Sequence, residues 1–481
     1  MLFNSIQFAL FLPLVVMVYY MIPARYRYIL LLSASYYFYM CWNPAYIILI
    51  IASTIIDFYA ARQIEAVADK GRKKLFLMLS LCSNLGILFF FKYFNFFSSS
   101  VNSLFQQFNI MAESPILDIL LPVGISFYTF QTLSYTIDVY RGEKSAETHL
   151  GYFALYVSFF PQLVAGPIER STRLMPDLKE HKTFKYENLS RGIKLIIWGF
   201  FMKLVIADRA SIYVNAVYNN PEEHGGITFI AATILFAFQI YGDFAGYSSI
   251  AIGSARIMGY DLMQNFNRPY FATNIRDFWR RWHISLSTWF RDYLYIPLGG
   301  NRVVKWRWYM NLFLTFLISG LWHGANWTFV IWGAIHGVFL VISTMRKEWS
   351  KKRQPKPKVA MYANGLASIP GIISTNVIVL FAWIFFRANN VQDAFTIIGG
   401  IFTNPGELFI PGNAGVAAPL YAGLGILLLW TIEAKREFYK GKFSFFKSEN
   451  QWVRMFAYAL LVVLIVFVGV FDGGQFIYFQ F

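Results

Sequence analysis

Leu321-Trp322-His323-Gly324-Ala325-Asn326-Trp327 lies between two long apolar stretches, 308–323 and 326–345. A helix needs about 20 apolar residues to cross the hydrocarbon core of a bilayer, so these stretches predict membrane spans. An ionisable side chain at that depth is costly and usually faces a cavity, so His323 marks a candidate site as well as a fold. Gly324 permits close backbone approach, Asn326 adds a polar group, and tryptophans flank the segment. A buried imidazole without a carboxylate neighbour is neutral and can take a proton from a hydroxyl. Packing is the alternative role for such a residue.

The rest of the chain agrees with a membrane setting. Of 481 residues, 57% are hydrophobic, 20% aromatic and only 14% charged, against roughly 25% charged in soluble domains. The net charge is +16 and the pI near 9.6. In a soluble protein that balance would suggest nucleic acid; here the basic residues cluster in loops between apolar runs, so the bilayer rather than nucleic acid is the expected partner. Cys41 and Cys82 lie in apolar segments and offer neither a disulfide framework nor a metal spacing. The N-terminus has no basic n-region or small-residue cleavage site, so residues from Met1 onward are expected to form a first span.

Candidate spans are 5–22, 27–42, 44–61, 74–97, 116–139, 190–216, 227–258, 308–323, 326–345, 368–387, 417–433 and 452–471. Loops around Arg25, Lys70–Lys74, Arg170–Lys194, 268–307, 346–358 and 435–447 are basic, whereas 98–115, 218–226 and 388–416 are nearly free of Lys and Arg. One orientation satisfies all of them, with both termini outside. It requires 149–166 and 277–298 to enter and leave on the cytoplasmic side. Both are then re-entrant or interfacial, and irregular backbone at depth is tolerated only beside protein or a water-filled cavity. Lys351 to Lys358 is basic and contains prolines, as a solvated linker does.

Three further segments could carry chemistry. In 277–298, Trp279, Trp282, Ile284, Leu286 and Trp289 alternate with Arg280, Arg281, His283 and Arg291. An interfacial anchor explains the arginines through snorkelling; an electropositive rim for the phosphates of an incoming donor explains them equally. In Gln239 to Ser249, Asp243 is a carboxylate within an apolar run, with small residues at 242, 245, 246, 248 and 249. It is either a polar tether in a tight packing motif or a group that orients a partner in a cavity wall. Phe160 to Arg170, with Pro161, Gly166 and Pro167, cannot continue a regular helix and has the form of a broken turn; Glu169 there could pair with Arg170 or another base. A third histidine, His336, is expected to pack between helices or support the site.

The chain has no Gly-x-Ser-x-Gly elbow, His-Glu-x-x-His, Walker loop or Gly-x-Gly-x-x-Gly, which removes support for a serine hydrolase, a zincin, an ATP-driven pump and a Rossmann enzyme. His283, His323 and His336 lack the close spacing of a zinc site, and no metal is expected.

In this order, Phe160 to Arg170, Gln239 to Gly259, Asn265 to Tyr270, Asp277 to Gly300, Gly320 to Trp327 and the tail Gln475 to Phe481 resemble the membrane-bound O-acyltransferase family, in particular its bacterial alginate O-acetyltransferase-like branch. The resemblance runs through nearly the whole chain. It implies an all-α polytopic membrane protein of eleven or twelve transmembrane helices, with re-entrant or interfacial helices around a central tunnel. A single domain over 1–481 is expected: N-terminal helices 1–145, a core 146–345 with the re-entrant segments, a basic cytoplasmic linker 346–366 and C-terminal helices 367–481. The family's catalytic histidine matches His323 and its second polar position His283. Arg280, Arg281, Asp243, Asn326 and Trp322 are the expected donor-binding and supporting residues. Where the branch often carries Asp after Gly-Tyr-Ser, this chain has Ser249, which weakens a polar role there and the assignment of alginate as acceptor.

The resemblance further implies a cytoplasmic acyl thioester, acetyl-CoA or a carrier-protein thioester, as co-substrate. The acyl group would pass across the bacterial cytoplasmic membrane to a hydroxyl of an envelope polysaccharide, alginate-like or peptidoglycan. A periplasmic or extracellular acyltransferase partner would complete the last step. The expected chemistry is acetyl transfer with His323 as general base and Trp322, Asn326 or His283 stabilising the oxyanion. The alternatives are D-alanyl transfer from a carrier protein to teichoic acid, a channel or transporter, which would also use intramembrane polar residues, and a scaffold for envelope assembly.

Overall fold

The computed structural model describes all residues except 112, 165, 353–367, 413–415, 440–447, 449, 472–475 and 478–481, and the side chains of 351 and 352. The described residues form helices and connecting loops without strands. Seven of the helices are long and apolar enough to cross a membrane: Pro44–Ala66, Lys70–Gln107, Gly226–Ile257, Trp327–Ser350, Ile369–Arg387, Ala417–Phe438 and Gln451–Val468. The larger number expected from sequence includes helices that are shorter, such as Ile6–Met21 and Arg27–Met40, or more polar, such as Lys305–His323. The chain is an all-α, multi-pass membrane protein.

Several boundaries differ from the sequence expectation. The expected span 116–139 is helical only as Ile125–Arg141, because Pro122 and a left-handed Gly124 (φ 75°) delay its start. The helix from Lys70 continues through a π-helical turn, Phe89–Tyr93, to Gln107, into a stretch expected to be a loop. Val391–Thr403 is a helix inside another expected loop. Trp327–Lys352 carries Arg346 and Lys347 on its last turns; the remainder of the basic linker lies outside the described residues.

The chain divides into two compact units. The first comprises Met1–Ile196 and Ser248–Met263. Its core holds a buried polar knot: Asp57 accepts from Ser80 Oγ at 2.5 Å and from Asn84 Nδ2 at 2.9 Å, with Thr136 at 3.5 Å. Buried polar groups persist when mutually bonded, and this knot ties three helices together. The broken turn begins here as the short buried helix Phe160–Leu163, which follows Leu150–Ser158, a helix buried from Phe153 onward. A Cβ at Gly166 would meet Gln162 Cα at 2.4 Å, so only glycine fits. Glu169 is 0% exposed and accepts from the Met263 backbone N–H. Burial pushes its carboxyl up to about 7 against the hydrogen bond to Met263.

The second unit comprises Ile197–Tyr247 and Gln264–Ile477. It contains both histidine segments.

Candidate active site

His323 is the last residue of the helix Lys305–His323, and the chain turns at once into Trp327–Lys352. Glycines let the two helices touch. A Cβ on Gly333 would meet Phe316 O at 2.4 Å, and one on Gly320 would meet Phe329 O at 2.3 Å. Asn326 accepts from the Thr328 N–H at 3.0 Å and donates to the Asn389 carbonyl at 3.1 Å. It is therefore occupied in capping the second helix and tying the hairpin to the next. His323 is buried, with the rings of Trp322, Trp332 and Phe386 at 4.9, 5.0 and 5.4 Å.

His283 sits between the short helices Ile275–Arg281 and Ile284–Phe290. Its backbone is left-handed (φ 42°), an uncommon conformation for a non-glycine residue that recurs at functional sites. The ring is fully buried, and burial pushes the imidazole down to about 3, so it is neutral. Asn265 Oδ1 accepts from the Ser285 N–H at 3.1 Å and the Ser285 hydroxyl at 2.8 Å; His283 Nδ1 lies 3.3 Å from the same oxygen. The Ser285 N–H can only donate, which identifies that amide atom as oxygen. The network therefore assigns the proton of His283 to Nδ1 and leaves Nε2 as the ring's acceptor. The Ile284 N–H donates to the Asn265 carbonyl at 2.9 Å and locks the loop.

The two histidine rings come together at 6.5 Å, with Trp322 at 6.2 Å from His283. Phe244 closes the site edge-on against His283 at 4.6 Å. Ring-lined burial of two imidazoles in one place is an arrangement suited to proton transfer away from bulk water.

Asp243 is one residue from Phe244, but its carboxylate is engaged away from the histidines. It pairs with Lys203 at 2.7 Å, and its other oxygen accepts the backbone N–H of Ile477 at 2.7 Å. Lys203 also meets Asp208 at 2.8 Å. All three charges are buried, and Lys203 lies on a π-helical turn, Phe201–Ala207. Phe476, beside Ile477, packs on Tyr247 and Phe244 at 4.6 and 5.6 Å. Asp243 is thus a tether for the tail, which reaches His283 through Phe244. Of that tail only Phe476 and Ile477 are among the described residues. Lys203 is absent from the residues expected from sequence, although a lysine within the apolar stretch Leu195–Ile206 is the signal that points to it.

The structure separates the two arginines. Arg281 is held by Asp277 at 3.1 Å and Glu437 at 2.9 Å, and Glu437 also binds Arg268 at 2.8 Å. Arg280 is exposed. His336 is fully buried against Trp279 and Trp332, each at 4.9 Å. Among the described residues no group of three or more His, Cys, Asp or Glu side chains is placed to hold a metal.

Comparison with known proteins gives this polytopic helical fold, with its two neighbouring buried histidines, a family. Residues 143–385 match the membrane-bound O-acyltransferase family, a range that includes Asp243, His283 and His323. The chain belongs to that family and is an O-acyltransferase that uses an acyl donor as co-substrate. It is 40% identical over 405 residues to "Probable alginate O-acetylase AlgI" of Azotobacter vinelandii, covering 84% of this chain and 78% of that protein. It is 36% identical to the peptidoglycan O-acetyltransferase of Helicobacter pylori over 77% of this chain and 73% of the relative. The teichoic acid D-alanyltransferase of Bacillus subtilis is 32% identical over 55% of this chain and 68% of the relative.

Proposed function

We propose that this enzyme O-acetylates an envelope or exported polysaccharide, drawing acetyl groups from a cytoplasmic thioester, acetyl-CoA or an equivalent carrier. The observation that carries the reading is the pairing of His283 and His323 at 6.5 Å in a buried aromatic site. His323 acts as general base on the attacking hydroxyl. Its proton moves to the imidazole as the new C–O bond forms, the tetrahedral intermediate expels the thiolate, and the sulfur recovers the proton. General-base assistance of this kind contributes on the order of 10²–10⁴-fold. His283, with its lone pair at Nε2, orients the hydroxyl as an acceptor rather than stabilising the oxyanion. Arg280 is the exposed cation available to donor phosphates; Arg281, fixed by two carboxylates, shapes the loop. Asp243 acts through the tail.

The chain acts as one catalytic domain in the bacterial cytoplasmic membrane, both termini outside, the basic loops and the donor entrance facing the cytoplasm. A periplasmic or extracellular acyltransferase receives the acetyl group and completes transfer. O-acetylation is favoured over D-alanylation because the O-acetylating relatives match at 36–40% over 77–84% of this chain, against 32% over 55% for the D-alanyltransferase.

Membranes holding the protein and its acyltransferase partner, given acetyl-CoA and de-acetylated polysaccharide, should release free coenzyme A thiol, and membranes carrying His323→Ala should not. No release from acetyl-CoA, with turnover of a D-alanyl carrier protein that free coenzyme A does not inhibit, would move the assignment to D-alanyl transfer.

A further inference from the structure

His336 is the one histidine of the site for which neither the structure nor the reading above has a use. It is fully buried, and neither ring nitrogen has a hydrogen-bond partner among the described residues. The same is true of two neighbours. The indole nitrogens of Trp279 and Trp332 are buried and without partners, and their rings lie 4.9 Å from His336 at steep angles, 87° and 72°. Trp332 and His336 are four residues apart on one helix and so share a face; Trp279 comes from the short helix Ile275–Arg281 and stands 5.7 Å from Trp332. Phe278 and Phe316 also lie near the imidazole, both at 6.4 Å. Trp332 is also one ring away from His323, at 5.0 Å.

Native interiors rarely leave buried polar atoms unmatched, and each exception asks for a cause. Here several fall at one place, and their chemistry is one-sided. An indole nitrogen is a donor only, and a neutral imidazole has one donor and one lone pair. The box therefore presents three N–H donors and one acceptor. A guest that satisfies it must be rich in acceptors and poor in donors, and small enough to enter aromatic walls. A carbonyl oxygen, with two lone pairs and no proton, has that character; an ammonium, which only donates, does not.

We propose that His336, Trp279 and Trp332 form a carbonyl-binding site for the thioester donor, beside His323. This rests on the acyl-transfer reading, because that reaction brings carbonyl oxygen to His323. Two carbonyl classes arrive together: the acyl carbonyl, whose oxygen becomes the oxyanion, and the amide carbonyls of the pantetheine arm common to coenzyme A and carrier-protein donors.

The test uses S-acetylpantetheine carrying ¹³C in the acetyl carbonyl in one sample and in the arm amides in another, bound to the protein in lipid nanodiscs without acceptor. Isotope-edited infrared spectra are compared between the unaltered protein and the His336→Phe, His336→Gln and Trp332→Phe variants. A hydrogen-bonded carbonyl vibrates at lower frequency. The proposal expects one labelled band to lie lower in the unaltered protein, to move up in His336→Phe and in Trp332→Phe, and to stay low in His336→Gln, which keeps an N–H donor. The label that moves identifies the carbonyl. If it is the acetyl group, His336→Phe should also lower kcat on the order of 100-fold at unchanged KM, as loss of one oxyanion donor does; if it is the arm, KM rises instead. Identical band positions in the unaltered protein and all variants would overturn the site and leave His336 as a packing residue. Trp332→Phe keeps the ring, so a folding defect in one His336 variant does not decide the matter. Acetyl transfer itself is read separately, by thiol release, so either idea can fail alone.

Discussion

The carboxylate of Asp243 accepts the backbone N–H of Ile477 at 2.7 Å while its other oxygen pairs with Lys203 at 2.7 Å. A residue in the middle of the chain thus fixes the tail, and Phe476 and Phe244 carry that position to the face of His283. Removing one partner of a buried ion pair leaves the other uncompensated, which costs about 3–5 kcal/mol. Asp208 retains part of the balance at Lys203, so Asp243→Ala should fall at the lower end of that range. Thermal unfolding in detergent should show the loss, and Lys203→Met combined with Asp243→Leu should recover part of it. An unfolding temperature equal to the parent's in Asp243→Ala would remove the tether.

Asn265 sets the tautomer of His283. Asn265→Ala removes the shared acceptor of Ser285 and the imidazole and frees the ring to carry its proton on Nε2. Turnover should drop by about 10²-fold, the scale of an acid–base contribution, while membrane abundance holds. Asn265→Asp keeps an acceptor at Nδ1 and should retain more activity than Asn265→Ala. Equal activities in the two variants would mean that tautomer control is not what the asparagine supplies.

Glu169 gives a pH-dependent stability with a definite sign. Its carboxyl rises from an ordinary 4.5 to about 7 because it is buried. A group whose folded pKa lies above its unfolded value contributes stability below the unfolded pKa and loses it as pH climbs through the folded one. The unfolding temperature of the parent should therefore decline between about pH 4.5 and 7 through this residue. Glu169→Gln should remove that part of the slope and be the more stable protein above pH 7. Parallel pH profiles in the two proteins would contradict the assignment.

The hairpin that presents His323 depends on glycine. A Cβ on Gly333 would come within 2.4 Å of Phe316 O and 3.0 Å of Gly320 Cα, which are backbone atoms that cannot swing away. Overpacking of this kind costs about 1–3 kcal/mol. Gly333→Ala should separate the helices, displace His323 from Trp332 and lower turnover, whereas alanine at Gly423, which has open space around it, should be neutral. Activity assays normalised to membrane protein would check the pair of variants.

Most of the helices could be read from sequence because the bilayer imposes a length and an apolar composition on them. That rule is blind where the composition is mixed. Phe94–Gln107 carries Ser98, Ser99, Ser100, Asn102 and Ser103, which resemble a loop in sequence yet continue the preceding helix. The delayed start of Ile125–Arg141 depends on Gly124 adopting φ 75°, a backbone state that hydropathy does not register. His323 and His283 stood out because ionisable groups are rare in apolar or aromatic surroundings. Their supports did not. Asn265 lies 18 residues from His283 and Lys203 lies 40 from Asp243, and only the folded chain pairs them. Asn326 shows the converse: its position beside His323 suggested chemistry, and both ends of its amide are spent on capping and bridging.

The most direct test of the central claim is the base-labile acetate content of purified envelope polysaccharides from cells carrying the intact protein or His323→Ala at equal membrane abundance. Acetate should be lost from one polymer in the variant, which would also identify the acceptor. Unchanged acetate in every polymer, with His323→Ala folded and inserted, would contradict it.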